Sequence, residues 1–394
     1  GDSLSYWHLA GALARGEPFR YGEYGRVFRT PGYPLLLAPL FLISGDSPPL
    51  FLGRAVGAIL GTLGVIATGW LGKLLWDDRV GWCAAFLAAI HPECVLSSVP
   101  ILSEAAFCPV WGLHLACFAV LMRFAKLPTA WIWAACAGAT AGIAVLIRPS
   151  ALLWLPFAFT FLIVVDRKAV PLRLLALAGG TAIVVLLPWW IRNYAVTGRW
   201  ILTTTQVGPS LYDGCHPNAD GGSNMDFMTA AVAETKQHLG ERGHDALAVE
   251  LEMDRRLRRE ALHWALENPD QFLRLAAVKF RRFWSPIPNE RAFNTFPVNL
   301  VMAAGFLVVL LPAAAGLLLS RSSRIAFVTC WLPAVYFTLL HIVFVSSVRY
   351  RLPITFALIA AAAPVLVQTI DYLRPGGQRP DKARGPSGPP RNES

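Results

Sequence analysis

PVNLVMAAGFLVVLLPAAAGLLL, residues 297–319, runs its whole length without a charged side chain. At about 1.5 Å per residue a helix of this length reaches roughly 35 Å, enough to cross the hydrocarbon layer of a bilayer. Working outward, further apolar runs lie near residues 52–72, 80–100, 104–122, 129–147, 150–165, 174–191, 325–347 and 352–370, which makes nine candidate spans. The run at 150–165 is short. The run at 80–100 contains His91, Pro92 and Glu93, so it is expected to kink at Pro92 with its polar groups satisfied, or to stop before the far interface. Read instead as a proton relay, His91 and Glu93 form one pair, and one pair does not make a pathway. Tyr33–Ile43 is too short to span and fits an interfacial or re-entrant helix.

Composition agrees. Of 394 residues, 55% are hydrophobic and 15% charged, against roughly 25% charged in soluble domains. The 35 Lys and Arg exceed the 25 Asp and Glu by ten, but the charges punctuate apolar runs instead of forming a basic surface, which argues for lipid and against nucleic acid as partner. Lys73, Arg79, Arg123, Lys126, Arg167, Lys168, Arg173, Arg321, Arg324 and the tail residues Arg374, Arg379, Lys382, Arg384 and Arg391 fall on one face, which the inside bias of basic residues makes cytoplasmic. These inner loops and the tail hold 14 basic and 6 acidic residues, so most of the excess charge is a topology signal. With the tail inside, nine crossings place residue 1 outside, and one more span is expected upstream. The tail, Pro375 to Ser394, is expected to be disordered.

The expected organisation is an external first loop with a juxtamembrane or re-entrant helix (1–49), six spans (50–191), an external loop region (192–296), three spans (297–370) and the tail (371–394). The large loop is balanced, with 13 acidic and 13 basic residues. Thr203 to Asn224 reads as turns and loop, His244 to Glu267 as a helix, and Asn268-Pro269 as the start of another. In that last helix Phe272, Leu275, Ala276, Phe280 and Phe283 form a stripe, with Arg274, Lys279, Arg281 and Arg282 largely off it. It reads either as an amphipathic helix at the lipid surface or as a helix packed on the rest of the loop. The seven cysteines, six of them in or beside spans, read as buried structural thiols, and neither they nor the scattered His residues have zinc-site spacing. Two external segments secluded above a bundle resemble an enzyme more than a channel, and no internal repeat of the transporter kind is visible.

Several separated stretches then resemble the polyprenyl-phosphate-sugar-dependent glycosyltransferases of the GT-C superfamily, in particular the protein O-mannosyltransferase and lipid A aminoarabinose transferase branch (glycosyltransferase family 39). Asp2-Ser-Leu-Ser-Tyr6-Trp looks like its acidic first-loop motif, and Arg29-Thr-Pro31-Gly-Tyr-Pro34 like the segment that follows. Arg54 to Gly61, Leu102-Ser-Glu104-Ala-Ala-Phe107, Arg148-Pro149, Pro188-Trp-Trp-Ile-Arg192-Asn193-Tyr194, Asn268-Pro269 and Arg349-Tyr350-Arg351-Leu-Pro353 continue the match over roughly residues 2 to 360. The family's first loop often carries two adjacent acidic residues. Here Ser3 follows Asp2, which argues against a metal-assisted role for such a pair, and the family's first span is expected upstream of residue 1.

The resemblance implies an all-α polytopic membrane protein of the GT-C type with external juxtamembrane helices. It implies an inverting transfer of a sugar from a polyprenyl-phosphate carrier to a hydroxyl acceptor, whether protein, lipid or glycan. The expected location is the outer, periplasmic face of a bacterial inner membrane, with no cofactor required and no sequence support for a divalent cation. Such a donor carries no nucleotide, and no Gly-rich nucleotide loop is present. The reaction needs a base for the acceptor and cations for the departing phosphate.

Asp2 is the candidate base, its pKa raised near a dry membrane surface; the alternative is an Asp that caps the helix after it. Glu104, at the start of an apolar span, either orients Asp2 or contacts substrate, or else interacts with its own helix dipole. Arg148, Arg192, Arg349 and Arg351 break the inside bias at outer span ends and are the candidates for the carrier phosphate, though any one could snorkel or pair with a carboxylate. Tyr6, Arg26, Arg29 and Tyr350 are the remaining substrate-binding candidates. A flippase or transporter of lipid-linked saccharides, which needs no catalytic carboxylate, and an O-antigen polymerase or ligase type of enzyme are the rival readings.

Overall fold

A computed structural model describes residues 2–290, 293–319 and 323–374 of the chain. Arg321 and the tail beyond Arg374, including the stretch expected to be disordered, lie outside the described residues. Among the described residues the elements are all helical. First, α1 (Asp2–Ala14) packs on α2 (Gly32–Ser44), the short apolar helix. Then come α3 (Leu50–Leu75), α4 (Asp78–Ile90), α5 (Pro92–Ser97), α6 (Ser103–Arg123), α7 (Ala130–Ile147), α8 (Pro149–Asp166) and α9 (Leu172–Thr197). The region between α9 and the remaining spans contributes α10 (Val207–Gly214), α11 (Met228–Leu239), α12 (Ala246–Glu267) and α13 (Pro269–Phe283). The chain returns through α14 (Phe296–Leu319), α15 (Arg324–Val343) and α16 (Val348–Leu373).

Eight of these helices, α3, α6 to α9 and α14 to α16, are long and apolar enough to cross a membrane. The ninth run is broken as its Pro suggested. The helix α4 ends at Ile90, His91 is extended (ψ 126°), and Pro92 occupies the first turn of α5, where a missing N–H costs nothing. Around the bundle, Ile59 and Ile66 on α3, Val184 and Ile191 on α9, and Leu300 and Leu311 on α14 are all more than half exposed. Apolar surface of this extent is stable against lipid and not against water, and the chain is an integral membrane protein.

The axis of the bundle is α6, in which every residue except Val110, Leu113 and Arg123 is buried. It packs against α3 and α7, while the buried half of α16, Leu352 to Ala363, closes the other side. Small residues let these backbones approach, since lipid gives helices no hydrophobic reason to associate. A Cβ added to Gly138 of α7 would lie 2.1 Å from the carbonyl oxygen of Ala178 on α9. Ion pairs staple one end of the bundle: Arg79 on α4 to Asp371 on α16 at 2.6 Å, and Arg324 on α15 to Asp166 on α8.

Two readings of the region between α9 and α14 change. Residues 203–224 are not all turn and loop: α10 forms there because Leu211 and Cys215 bury against Ala261, with Tyr212, Trp264 and Phe272 around them. The helix α11 had no sequence expectation. In α13 the buried face is Leu275, Lys279 and Phe283, packed on α15, and Phe280 is 47% exposed. Lys279 therefore lies on the packed face, its Nζ donating to the Val343 carbonyl at 2.9 Å. All seven cysteines are free thiols.

Candidate active site

The end of the bundle opposite the staples gathers charges from five elements. Asp2 stands at the start of α1, Arg29 in the loop before α2, and Glu104 in the first turn of α6. Arg148 follows the last residue of α7, and Arg349 lies in the 3-10 turn that opens α16. Helix ends place four of the five where the backbone stops being self-satisfied, Arg29 coming from a loop, and Arg148 and Pro149 together end one helix and begin the next.

Glu104 is 2% exposed and holds two guanidinium groups. Arg148 Nη1 lies 2.7 Å from its Oε1, and Arg349 reaches it through both Nε and Nη2, the latter at 3.2 Å from Oε2. Arg349 Nη2 also donates to Asp2 Oδ2 at 3.1 Å, so one guanidinium bridges the two carboxylates. The other oxygen of Asp2 accepts from Arg29 Nη2 at 2.6 Å. Arg29 continues to Gln206 Oε1 at 2.9 Å, and its buried Nε has no hydrogen-bond partner. Beneath these, Ser103 Oγ accepts from Arg148 Nη1 and from the Tyr6 hydroxyl, both at 3.2 Å. The Arg29 guanidinium stands 5.1 Å from the Tyr6 ring centre, and those of Arg148 and Arg349 each 5.8 Å from the Tyr350 ring, which itself stacks on His341 at 4.8 Å.

The charges do not cancel: three guanidinium groups face two carboxylates. Exposure divides the carboxylates by task, since Asp2 is 37% exposed and Glu104 is buried. Only Asp2 stands where a substrate could reach it. Its pKa is lowered, contrary to the expectation of a raised one: burial pushes the carboxyl up, but Arg29 and then Arg349 more than offset it. Its two oxygens go to guanidinium groups and not to the amides of its own helix.

Of the eight candidates besides Asp2 and Glu104, the structure brings Arg148, Arg349, Arg29, Tyr6 and Tyr350 into this cluster. It gives Arg192 and Arg351 other partners. Arg351 is fully buried, paired with Glu93 and donating to the carbonyls of Phe283 at 3.1 Å and Ser285 at 2.8 Å; Thr355 completes Glu93 at 2.9 Å. Glu93 is thus satisfied as the kink reading required, but His91, buried next to Pro92, is not, since neither of its ring nitrogens makes a hydrogen bond. Arg192 donates to the carbonyls of Arg26 and Phe19, each at 2.8 Å. Arg26 offers its backbone to this arrangement. Gln206 and Ser103 were missed; Gln206 sits in the stretch read as turns, where no pattern marks it. Among the described residues no three His, Cys, Asp or Glu side chains gather closely enough to hold a metal ion.

A helical membrane protein with a half-open charged cluster at one mouth of its bundle is thus the class that fold and site define. No protein-family profile and no curated protein matches the chain. Solved structures do. An oligosaccharyltransferase from Archaeoglobus fulgidus, tethered to an acceptor peptide through a disulfide, superposes with a TM-score of 0.59 at 17% identity, covering 94% of this chain and 46% of its own. AglB from the same organism, in complex with an inhibitory peptide and a dolichol-phosphate, gives 0.55 at 17% identity over 94% and 46%. ArnT from Cupriavidus metallidurans bound to undecaprenyl phosphate covers 95% of this chain and 75% of its own at 14% identity, with a TM-score of 0.47. The chain spans less than half the length of the oligosaccharyltransferases it matches. The likeness fixes the fold, an all-helical membrane fold shared with these solved structures, as the sequence led one to expect.

Proposed function

We propose that this protein is an integral membrane glycosyltransferase that moves a sugar from a polyprenyl-phosphate carrier to a hydroxyl acceptor. The observation that carries this reading is the surplus guanidinium charge around the one accessible carboxylate, Asp2, at the mouth of the bundle. A phosphate entering from lipid meets the exposed side of Arg349 first, with Arg29, whose buried Nε lacks a partner, behind it and Arg148 held on Glu104. The dolichol-phosphate in the AglB complex supports a lipid-phosphate ligand for this fold.

In the proposed reaction the acceptor oxygen attacks the anomeric carbon from the face opposite the phosphate, and the bond from that carbon to the phosphate oxygen breaks. The acceptor proton passes to Asp2, the electron pair leaves with the phosphate under the arginines, and the configuration inverts. Glu104 acts through Arg349 and Arg148, which it holds in place. We place the site on the periplasmic face of a bacterial inner membrane, in keeping with Lys73, Arg79, Arg123, Arg167, Lys168, Arg173 and Arg324 at the other end.

The test is transfer of radiolabelled sugar from polyprenyl phosphate by the purified chain in proteoliposomes. Label in a new glycosidic bond supports the reading. Carrier that crosses the bilayer with no new bond would establish the transporter instead, and products of many added units the polymerase type.

A further inference from the structure

We infer that Glu250 is a positioning residue that sets the Arg29 guanidinium against Asp2 by tying the two external segments that carry Arg29 and Gln206 to one buried carboxylate. Glu250 lies in the second turn of α12 and is 1% exposed. Its Oε2 accepts from the Arg26 amide at 2.8 Å; its Oε1 accepts from the Val27 amide at 2.9 Å and from the Thr205 hydroxyl at 2.6 Å. The two segments also bond each other, Thr205 N to Val27 O at 3.0 Å. Three residues past Arg26 stands Arg29, and next to Thr205 stands Gln206, the two joined by their own hydrogen bond at 2.9 Å. From the other side Arg192 grips the carbonyls of Arg26 and Phe19. The Arg26 peptide is therefore held at its amide by an anion and at its carbonyl by a cation. One turn along α12, Asp254 Oδ1 accepts from the Gly208 amide at 2.6 Å, so the helix presents two carboxylates in succession to the strap that bears Gln206.

The chemistry selects a carboxylate here for direction. Burying one away from a paired cation is costly unless its lone pairs are filled by well-aimed donors, and an apolar side chain would pack the same helix at less cost. What the carboxylate supplies is geometry: its donors come only from the residues flanking the Arg29 loop and the Gln206 strap. This is a role in the proposed glycosyl transfer and rests on that reading for its functional half; the structural half does not.

The experiment uses the full chain in nanodiscs, with E250Q, R29Q, the double variant, and T205V, which removes only the hydroxyl bond. An amide side chain turns one acceptor into a donor facing donors, so E250Q is expected to raise hydrogen exchange at the amides of residues 26, 27 and 205 by about tenfold or more while the spans keep wild-type protection. It should lower kcat by about tenfold to a hundredfold, as misplacing a clamp does, with a smaller change in KM. R29Q/E250Q should turn over within about twofold of R29Q alone, since both act through one group, and T205V should fall between wild type and E250Q. Unchanged exchange at 26, 27 and 205 overturns the inference whether or not the protein transfers sugar. Effects of R29Q and E250Q that multiply overturn it as well, because Glu250 would then act elsewhere. If E250Q loosens the two segments but the wild type transfers no sugar, the positioning stands and the glycosyltransferase reading falls. Should E250Q fail to fold, T205V still decides through the exchange at residue 27.

Discussion

Replacing Glu104 by Gln is the sharpest perturbation of the cluster, because it changes no volume and one charge. Glu104 is 2% exposed, Arg148 15% and Arg349 35%, so the anion is secluded while its cations are partly wet. Removing one partner of a buried ion pair costs about 3–5 kcal/mol, since the other charge is left without compensation. Here Arg148 keeps Ser103 at 3.2 Å and Arg349 keeps Asp2 at 3.1 Å. The amide oxygen that the substitution leaves in place can still accept one bond, so a loss at or just below the lower end of that range, about 2–3 kcal/mol, is expected. Equilibrium unfolding in mixed micelles measures it. In the double variant E104Q/R148Q the loss should fall short of the summed single losses by about 1–2 kcal/mol, the mark of a direct pair. Turnover should drop by about a hundredfold, as both guanidinium groups lose the acceptor that aims them. A loss below about 0.5 kcal/mol, the size of a solvated surface pair, would refute the claim that Glu104 organises the site.

Asp2→Asn should reduce sugar transfer by about a hundredfold to ten-thousandfold, the usual contribution of a general base, with membrane insertion and carrier binding retained; normal turnover ends its assignment. Because Arg29 and Arg349 hold the Asp2 carboxyl below its ordinary value against the opposing effect of burial, its contribution to stability is present above the unfolded pKa and is lost as pH falls through the folded one. Stability titrated toward acid should show that loss below about pH 4, and R29Q should shift it upward. Gly138→Val sets a side chain against the Ala178 carbonyl, 2.1 Å from where its Cβ must lie, and should lower stability by at least about 1–3 kcal/mol in the same micelle assay. The Cys215 thiol, whose pKa burial pushes up more than Lys279 pulls it down, should resist alkylation at pH 8 in the folded protein and react on unfolding.

The membrane architecture was legible because the bilayer demands one thing of every span, an uncharged run of about 20 residues, and a sequence displays that directly. Even the broken run announced itself through Pro92. Arg148, Arg192, Arg349 and Arg351 were legible as exceptions to the charge bias of the other basic residues, and the cluster keeps Arg148 and Arg349 of the four. What separates these two from Arg192 and Arg351 is which way a side chain turns at a helix end, and no local pattern encodes that. Arg351 is two residues from Arg349 yet is buried on Glu93, a partner 258 positions away. The helix α10 was missed because Gly208 and Pro209 signal turns, whereas its stability comes from packing on Ala261 and Trp264, a contact of high sequence separation. Gly208 is there for approach: a Cβ would stand 2.0 Å from the Asp254 carbonyl.

The lowered pKa of Asp2 carries a consequence for the proposed reaction. A carboxylate pinned by two guanidinium groups is a poor base, and the resting site therefore has its base suppressed. In the proposed reaction the same guanidinium groups are offered to the carrier phosphate. When a phosphate draws Arg29 and Arg349 toward itself, the attraction that depressed Asp2 weakens, and burial, which acts in the opposite direction, gains weight. The donor would thus raise the basicity of the group that must deprotonate the acceptor, and water would find no active base in its absence. The pH dependence of kcat/KM reports the free enzyme and that of kcat the loaded one, so the acid limb of kcat should lie at higher pH than that of kcat/KM. A separation of about one unit corresponds to roughly 1.4 kcal/mol of differential interaction, which the loss of half of one close guanidinium contact at an effective dielectric near 20 would supply. Coincident limbs, or a kcat limb at lower pH, would show that Asp2 keeps its two arginines through the reaction and would remove the coupling between phosphate binding and base strength.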